Sequence, residues 1–321
     1  MNTIDQANAL SPAALLQLGQ TSRSITGVSL AGGDYRGMAL SGLRFEAVDA
    51  RGARFDGADL RRTQWHGCTL GEAGLREIEA EKLSLDGCDL QRADLTGAHL
   101  VCTDFGSCDL RRVHFDGADL TRSFFNHCDL RGAALARATL AIAQLIQCNL
   151  ADTDLRAVAW HTVHTQRCDL SHACFVDARL ENCSFRNALA AQADFSGMLA
   201  NFVSFTDALL RATRFTHATI QHAKFDRARL DAADFSNADL FAASFAAAHL
   251  AQASFRQSTL QHADFSHSHA CRADFCHADV ARAHFHGAEL ADARWEHCNR
   301  QLALGDDPEL LAAEQWRAPP D

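Results

Sequence analysis

Large apolar residues recur at every fifth position along most of this sequence. The register runs from Leu30 to Trp295 over 54 positions, most of which hold a large apolar residue. The residue two places earlier is usually small, and the two residues that follow are mostly polar or charged. Neither the 3.6-residue period of a helix nor the two-residue period of a strand keeps such a pattern on one side. The pattern predicts a chain that turns every five residues, with the apolar and the small residue directed inward.

The apolar residue alternates along this register. Of the 27 positions whose numbers end in 5, 17 are Phe, whereas of the 27 that end in 0, 19 are Leu and none is Phe. Such alternation requires an even number of sides. Six cysteines recur every 20 residues, each two places before a leucine: Cys68, Cys88, Cys108, Cys128, Cys148 and Cys168. The chain is therefore predicted to form a solenoid, in which each coil contains 20 residues on four sides.

The six cysteines are predicted to form one column along the solenoid. Adjacent strands lie about 4.8 Å apart, which is more than the roughly 3.8 Å between the Cβ atoms of a disulfide. Free cysteine behaves as a small buried hydrophobe, so the column is interpreted as a structural core ladder rather than a redox or metal site. Twelve cysteines in a sequence without an export signal indicate the reducing cytoplasm.

The five-residue unit has a recognisable form in GADLR (57–61), RADLT (92–96) and NADLF (237–241). These segments resemble the motif A(D/N)LXX of the pentapeptide-repeat family. The resemblance covers residues 28–297. It implies an all-β solenoid, a right-handed four-sided parallel β-helix of about 13 coils, with short helical caps predicted at both ends.

Three functions are consistent with this resemblance. The first is a non-catalytic scaffold that binds another protein, because solenoids offer extended binding surfaces. The second is a DNA mimic that binds DNA gyrase or topoisomerase IV and protects them from quinolones or toxins, as some family members do. The third is an accessory role in bacterial type VI secretion, among whose components such proteins are sometimes encoded.

Charge bears on the second hypothesis. Residues 28–297 contain 34 acidic and 27 basic residues, a net charge of −7, whereas a DNA duplex of the same length would carry on the order of 38 charges. Arg111 and Arg131 also lie next to Asp109 and Asp129 in the sequence, which weakens any negative stripe. The net charge of −10 for the whole chain gives little support to direct nucleic-acid binding.

Residues 1–27 and 298–321 fall outside the repeat and are predicted to form an N-terminal cap and a C-terminal segment. Ser11 followed by Pro12 predicts the start of a short helix, and Asp307 followed by Pro308 predicts another. Solenoid ends need covering. Three apolar residues of the C-terminal segment are therefore predicted either to cap the core or to join two copies in a homodimer: Leu310, Leu311 and Trp316.

The first of two interruptions within the register lies at residues 156–168. Here Trp160 occupies a Leu position and Thr165 a Phe position. One interpretation is a local repacking, in which the oversized and undersized residues compensate. The other is a binding notch at which Trp160 contacts a partner beside His161 and His164.

The second interruption lies at residues 186–202, where Ala190 and Ala200 replace the usual leucines. Nearby apolar residues stand at positions that otherwise face solvent: Leu189, Leu199, Phe202 and Leu209. Either the chain bulges and turns the leucines inward, or an apolar patch is exposed. An exposed patch would suggest contact with a partner.

Candidate chemistry is sparse. The sequence contains no nucleophile elbow, P-loop, dinucleotide fingerprint or HExxH motif, and no apolar run long enough to span a membrane. The histidine-rich segment 266–290 places His267, Cys271, His277 and His286 at different corners or levels of the solenoid, whereas zinc needs converging ligands. We therefore expect no enzyme, no cofactor and no metal.

Overall fold

A 20-residue period governs the backbone hydrogen bonds of this protein. The computed structural model describes residues 9–316, apart from the side chain of Gln315. The chain divides into two compact units, Met1–Ala173 and Cys174–Asp321. Both are built from parallel pairing between residues 20 positions apart, so the predicted all-β parallel solenoid is confirmed.

The first unit contains an eight-stranded parallel sheet, corresponding to about eight turns of the solenoid. Ile25 lies opposite Phe45 in this sheet, so pairing begins just before the predicted start of the repeat at residue 28. The strands in sheet order are β1 (Ser24–Thr26), β2 (Arg44–Glu46), β3 (Gln64–His66), β4 (Ser84–Asp86), β5 (Asp104–Gly106), β6 (Phe124–Asn126), β8 (Gln144–Ile146) and β10 (His164–Gln166). Two further strands, β7 (Leu140–Ala141) and β9 (Ala159–His161), pair with each other. Three more ladders of parallel bridges begin at Ser29, Asp34 and Ala39.

A helix precedes these strands, as Ser11 and Pro12 predict. Helix α1 spans Pro12–Thr21, and the Ser11 side chain accepts a hydrogen bond from the backbone amide of Ala14 at 3.3 Å. Leu15 of this helix is fully buried. The Tyr35 hydroxyl donates a 2.6 Å hydrogen bond to the carbonyl of Leu10, which fixes the approach of α1 to the first coil.

The apolar positions of the repeat form the core of the first unit. The rings of Phe45 and Trp65 stack with centroids 3.9 Å apart, and those of Phe105 and Phe125 stack at 4.6 Å. The six cysteines of the predicted ladder are all buried and free. The thiol of Cys128, for example, donates to the carbonyl of Phe105 at 3.1 Å, so these side chains satisfy the backbone inside the core.

Trp160 is part of this core. Its side chain is 1% exposed, and it lies opposite Leu140 in the β7–β9 pair. Thr165 is also buried. The prediction that Trp160 contacts a partner is therefore wrong, because the strand register directs its ring inward to a position that leucine normally fills.

The second unit has the same 20-residue pairing within itself, as in β11 (Arg179–Glu181), where Arg179 bridges to Leu199. Its phenylalanines form two columns of stacked rings. Phe225, for example, lies between Phe205 and Phe245 at centroid distances of 5.2 and 5.0 Å. The bridge between His284 and Leu304 lies near the end of the pairing.

The C-terminal end of this unit is covered by a short irregular segment. Trp295 stacks on Phe275 at 4.4 Å, and the guanidinium of Arg300, the first residue of a 3-10 turn, lies 4.6 Å from the centre of the Trp295 ring. Helix α2 follows at Pro308–Gln315, and the Asp307 side chain accepts hydrogen bonds from the first backbone amides of the helix, as predicted.

The apolar residues of α2 do not cover the core. Trp316 is 70% exposed, Leu310 is also exposed, and Leu311 is half-buried. Capping by Leu310 and Trp316 is therefore wrong, because the chain closes the core earlier, with Trp295 and Arg300. The homodimer remains a prediction.

Candidate partner-binding surface

Four large apolar side chains lie on the outside of the second unit. Phe202 is 63% exposed, and three leucines are between 41% and 43% exposed: Leu189, Leu199 and Leu209. Ala190 and Ala200 remain buried at inward positions, so the five-residue register is unbroken here. The leucines are therefore exposed rather than turned inward by a bulge.

The register separates these residues into two groups. Leu189 bridges directly to Leu209. Leu199 belongs to another ladder, in which it bridges to Arg179 and Thr219. Leu189 and Leu199 are ten residues apart, half of the 20-residue period, so they lie on different faces. The single apolar patch expected from the sequence is therefore divided into two surfaces, one with Leu189 and Leu209 and the other with Leu199.

Leu199 and Phe202 share a groove of about 680 Å³. We call it the Phe202 groove, and its lining includes Arg179, Glu181, Asn182, Leu199, Phe202 and Thr219. Strand β11 supplies Arg179 and Glu181 on either side of the inward-facing Leu180. The groove therefore combines the exposed side chains of Leu199 and Phe202 with one acidic, one basic and three neutral polar residues, the last being Asn182, Asn201 and Thr219.

Phe202 begins a column of rings along the outside of this unit. Its ring is stacked on His222 at 4.8 Å, His222 meets Phe241 edge-on at 5.7 Å, and Phe241 meets His262 edge-on at 5.5 Å. His222, Phe241 and His262 were not identified from the sequence. The signal was present, because 202, 222 and 262 are separated by multiples of 20.

The backbone at Phe202 is unfavourable for its side chain. Its φ is 60°, in the left-handed region that bulky residues rarely adopt. Many tight turns of this fold contain a residue with positive φ, but in residues 9–316 the large apolar ones are Ile142 and Phe202. The Phe202 ring therefore lies outside the core, is largely exposed, and is attached to backbone in a conformation that disfavours it.

Several acidic residues of the first unit are paired with arginine and so do not contribute to a free negative stripe. Six aspartates each accept at least two hydrogen bonds from the side chain of an arginine two residues later, in the pairs Asp34–Arg36, Asp49–Arg51, Asp59–Arg61, Asp109–Arg111, Asp129–Arg131 and Asp154–Arg156. The hydrogen bond from Arg51 lowers the pKa of Asp49 to about 2. A neighbouring groove of about 460 Å³ is lined by four arginines, Arg92, Arg111, Arg112 and Arg131.

The histidine-rich segment differs from its sequence-based interpretation in one respect. His269 stacks on His249 at 4.9 Å, as the 20-residue period requires. The side chains of His267 and His286, expected at different corners or levels, come together with Glu314 of α2. Glu314 was missed because α2 lies outside the repeat, so no period places it. In the part of the chain that the structure describes, no helix is long and apolar enough to cross a membrane.

Comparisons with known proteins match this architecture. A family model described as "Pentapeptide repeat region" matches residues 58–135 and 158–235, and one described as "Pentapeptide repeats (8 copies)" matches residues 26–76 and 238–275. Together they cover more than half of the chain. A search among curated proteins found no match.

Solved structures also resemble the chain at low identity. HetL, a pentapeptide repeat protein involved in heterocyst differentiation regulation from the cyanobacterium Nostoc sp. strain PCC 7120, is 23% identical over 92% of this chain and 97% of its own, with a TM-score of 0.34. Trypsin-treated QnrB1, a plasmid-mediated fluoroquinolone resistance protein, is 18% identical over 92% of this chain and 100% of its own, with a TM-score of 0.31. At these TM-scores the structural likeness adds nothing to the family match.

Proposed function

This chain belongs to the pentapeptide-repeat family, and on that premise we propose that it is a non-catalytic module that binds another protein through the Phe202 groove. We further propose that its solenoid is a right-handed four-sided β-helix of about 13 coils and that it works in the cytoplasm. The 20-residue pairing in both units supports the four-sided coil. The free buried cysteines support the cytoplasm.

The observation that carries the proposal is the exposure of Phe202. Its ring is 63% exposed beside the exposed side chain of Leu199, in a turn conformation that disfavours it. Exposed apolar patches with a polar rim mark protein interaction sites, and aromatic residues are enriched in such interfaces. The core gains little from this ring, so its burial against a partner is the interaction that gives it a role.

The lining of the groove indicates what kind of segment would fit. Phe202 and Leu199 offer apolar area, while Arg179 and Glu181 place charges of opposite sign at its edge. A partner segment with apolar side chains flanked by both an acidic and a basic residue would bury the first and pair the second. Such charge complementarity contributes orientation more than affinity.

The DNA-mimic hypothesis is less well supported by the first unit. Six of its aspartates each pair with an arginine two residues later, and Arg92, Arg111, Arg112 and Arg131 line one groove. A surface that imitates DNA needs closely spaced unpaired negative charge. Topoisomerase binding is therefore an alternative outcome of the experiment below. Among the described residues, nothing favours the type VI secretion hypothesis over general protein binding.

A homodimer through the C-terminal end is compatible with this function. Leu310, within α2, and Trp316, directly after the helix, are both exposed. Two such segments could bury each other's apolar side chains. We propose this contact as an association between copies, separate from the Phe202 groove.

Affinity capture with a matched pair of variants tests the function. The full chain, Phe202→Asn and Ile142→Asn are immobilised, exposed to lysate of the source bacterium at low and moderate salt, and the retained proteins are identified by mass spectrometry. Ile142 is a matched control because it too is an exposed apolar residue with positive φ at an equivalent repeat position. The proposal requires a protein that is retained by the wild type and Ile142→Asn but lost with Phe202→Asn.

Other outcomes are equally informative. Capture of gyrase or topoisomerase IV subunits that is lost as salt rises, yet unaffected by Phe202→Asn, would support DNA mimicry instead. Equal capture of all partners by all three proteins would contradict the role of the Phe202 groove.

A further inference from the structure

Three side chains that could ligate a metal converge at the C-terminal end of the second unit. The Nε2 atom of His267 lies 3.2 Å from Oε1 of Glu314, and the Nε2 atom of His286 lies 3.4 Å from Oε2 of the same carboxylate. All three ligand atoms lie within 4.8 Å of one another. This is the one group of at least three His, Cys, Asp or Glu side chains with such proximity in residues 9–316.

The fold brings them together from two sources. His267 and His286 lie on successive coils, where the backbone amide of His267 donates to the carbonyl of His286 at 2.8 Å. Gly287 leaves room for the imidazole, because a Cβ atom at that position would lie 2.6 Å from Nδ1 of His267. Asp307 caps the start of α2, and Glu314 follows two turns later. The cluster therefore ties the helix to the solenoid.

The spacing of these atoms suits one small cation. Zinc binds histidine nitrogen and carboxylate oxygen at about 2.0–2.2 Å, which places the ligand atoms of a tetrahedral site about 3.3 Å apart. The two nitrogen–oxygen distances, 3.2 Å from His267 to Oε1 and 3.4 Å from His286 to Oε2 of the Glu314 carboxylate, agree with this separation. Two imidazoles and one carboxylate are also a donor set that suits zinc and similar first-row divalent ions.

His286 provides an independent indication. The residue is 7% exposed, and its Nε2 atom is buried without a hydrogen-bond partner. That atom lies 3.4 Å from the Glu314 carboxylate but is not aligned for a hydrogen bond to it. A buried polar atom without a partner is costly. A cation between the imidazole and the carboxylate would satisfy both.

The other nitrogen of His286 shows what metal binding would change. Its Nδ1 accepts a 3.1 Å hydrogen bond from the backbone amide of Asp307, and Oδ1 of Asp306 lies 4.0 Å away. A metal-bound imidazole normally donates its other N–H to a carboxylate or carbonyl. Metal binding at Nε2 would therefore transfer the proton to Nδ1, which would donate to Asp306 while the amide of Asp307 moves away.

We propose that His267, His286 and Glu314 bind one divalent cation of the zinc class, with water completing the coordination, and that this ion fastens α2 to the end of the solenoid. The site is separate from the Phe202 groove and does not depend on the proposed partner. Its role is structural, since it joins the C-terminal helix to the repeat.

Zinc titration of the full chain, after treatment with a chelator, tests this site. We expect one equivalent of Zn²⁺ to bind in competition with a chromophoric chelator. Loss of an outer-sphere partner typically costs about 10–100-fold in metal affinity, so removal of a ligand in His267→Gln, His286→Gln or Glu314→Gln should cost at least that much. The first and third residues are exposed, so these variants remain informative if His286→Gln fails to fold.

The double variant His277→Gln with His297→Gln is the matched control. These imidazoles also stack on successive coils, at 4.8 Å, but belong to no three-ligand cluster among the described residues. Its zinc affinity should equal that of the wild type. Cobalt bound in place of zinc should show d–d bands without thiolate charge transfer, and hydrogen exchange in 308–315 should slow when zinc is added.

Three results would overturn the proposal. Unchanged zinc affinity in both His267→Gln and Glu314→Gln would exclude the cluster. An equal loss in the control variant would indicate general binding to surface histidines. Thiolate charge transfer to cobalt would assign the ion to cysteines such as Cys271 or Cys298.

Discussion

The ring of Phe202 lies parallel to that of His222 on the next coil, with centroids 4.8 Å apart and planes 5° apart. One face of the phenyl ring is therefore packed, while 63% of the side chain remains exposed. The stack on His222 orients the Phe202 ring at the groove. In the proposed function the Phe202 ring would contact a partner already held in one orientation, and such preorganisation reduces the entropy lost on binding.

Replacing Phe202 by Asn should leave the stability unchanged or raise it by up to about 1 kcal/mol. Asparagine tolerates the left-handed conformation that φ of 60° requires, whereas bulky residues do not. Urea unfolding of the wild type and the variant gives the difference. Ile142→Asn should behave in the same way, because Ile142 has a φ of 57°. A loss of more than about 1 kcal/mol in Phe202→Asn would show that the ring serves the fold instead of a partner.

Phe225→Ala should have the opposite effect and cost about 3–5 kcal/mol, the usual range for a buried phenylalanine. Its ring is fully buried and stacks between Phe205 and Phe245. Chemical unfolding, followed by circular dichroism, measures the loss. Leu189→Ala is the control, because this half-exposed leucine should cost much less. Equal losses in the two variants would contradict the inward assignment of Phe225.

The five-residue register made the core predictable from sequence, because every coil repeats the same inward positions. It also contained the information that Trp160 is buried, since 160 is an inward position, and that Leu189 and Leu199 lie on different faces. The contact between His286 and Glu314 could not be predicted in this way. Glu314 belongs to α2, whose path is fixed by Asp307 and the last coil rather than by the repeat.

Thiol labelling of the native protein should distinguish the buried cysteine column from the partly exposed cysteines. Hydrogen bonds with the neighbouring thiols and burial raise the pKa of Cys108, and a thiol that stays protonated reacts slowly. Cys102, Cys174 and Cys271 are each half-buried and should be labelled first. Mass spectrometry after a short pulse of maleimide reports the order. Labelling of Cys108 as fast as Cys271 would mean that the column opens to solvent.

Acid should remove a small part of the stability through Asp49. Its pKa is lowered to about 2 by the hydrogen bond from Arg51, whereas an unfolded aspartate titrates near 3.9. A lowered carboxyl pKa stabilises the fold above the unfolded value, and this contribution is lost as the pH falls from about 4 towards 2. Arg51 is 68% exposed, so that solvent screening limits the contribution to less than about 1 kcal/mol.

Arg51→Gln should therefore lower the unfolding free energy at pH 6 by a few tenths of a kcal/mol up to that limit, and by a smaller amount at pH 2.5. The measurement is urea unfolding at both pH values. Arg62→Gln is the control. It removes one positive charge from the same unit, but Arg62 does not hydrogen bond to Asp49. If the Asp49–Arg51 pair stabilises the fold, the unfolding free energy of Arg51→Gln should change less with pH than that of Arg62→Gln. Parallel pH profiles for the two variants would show that Asp49 gains no stability from its arginine.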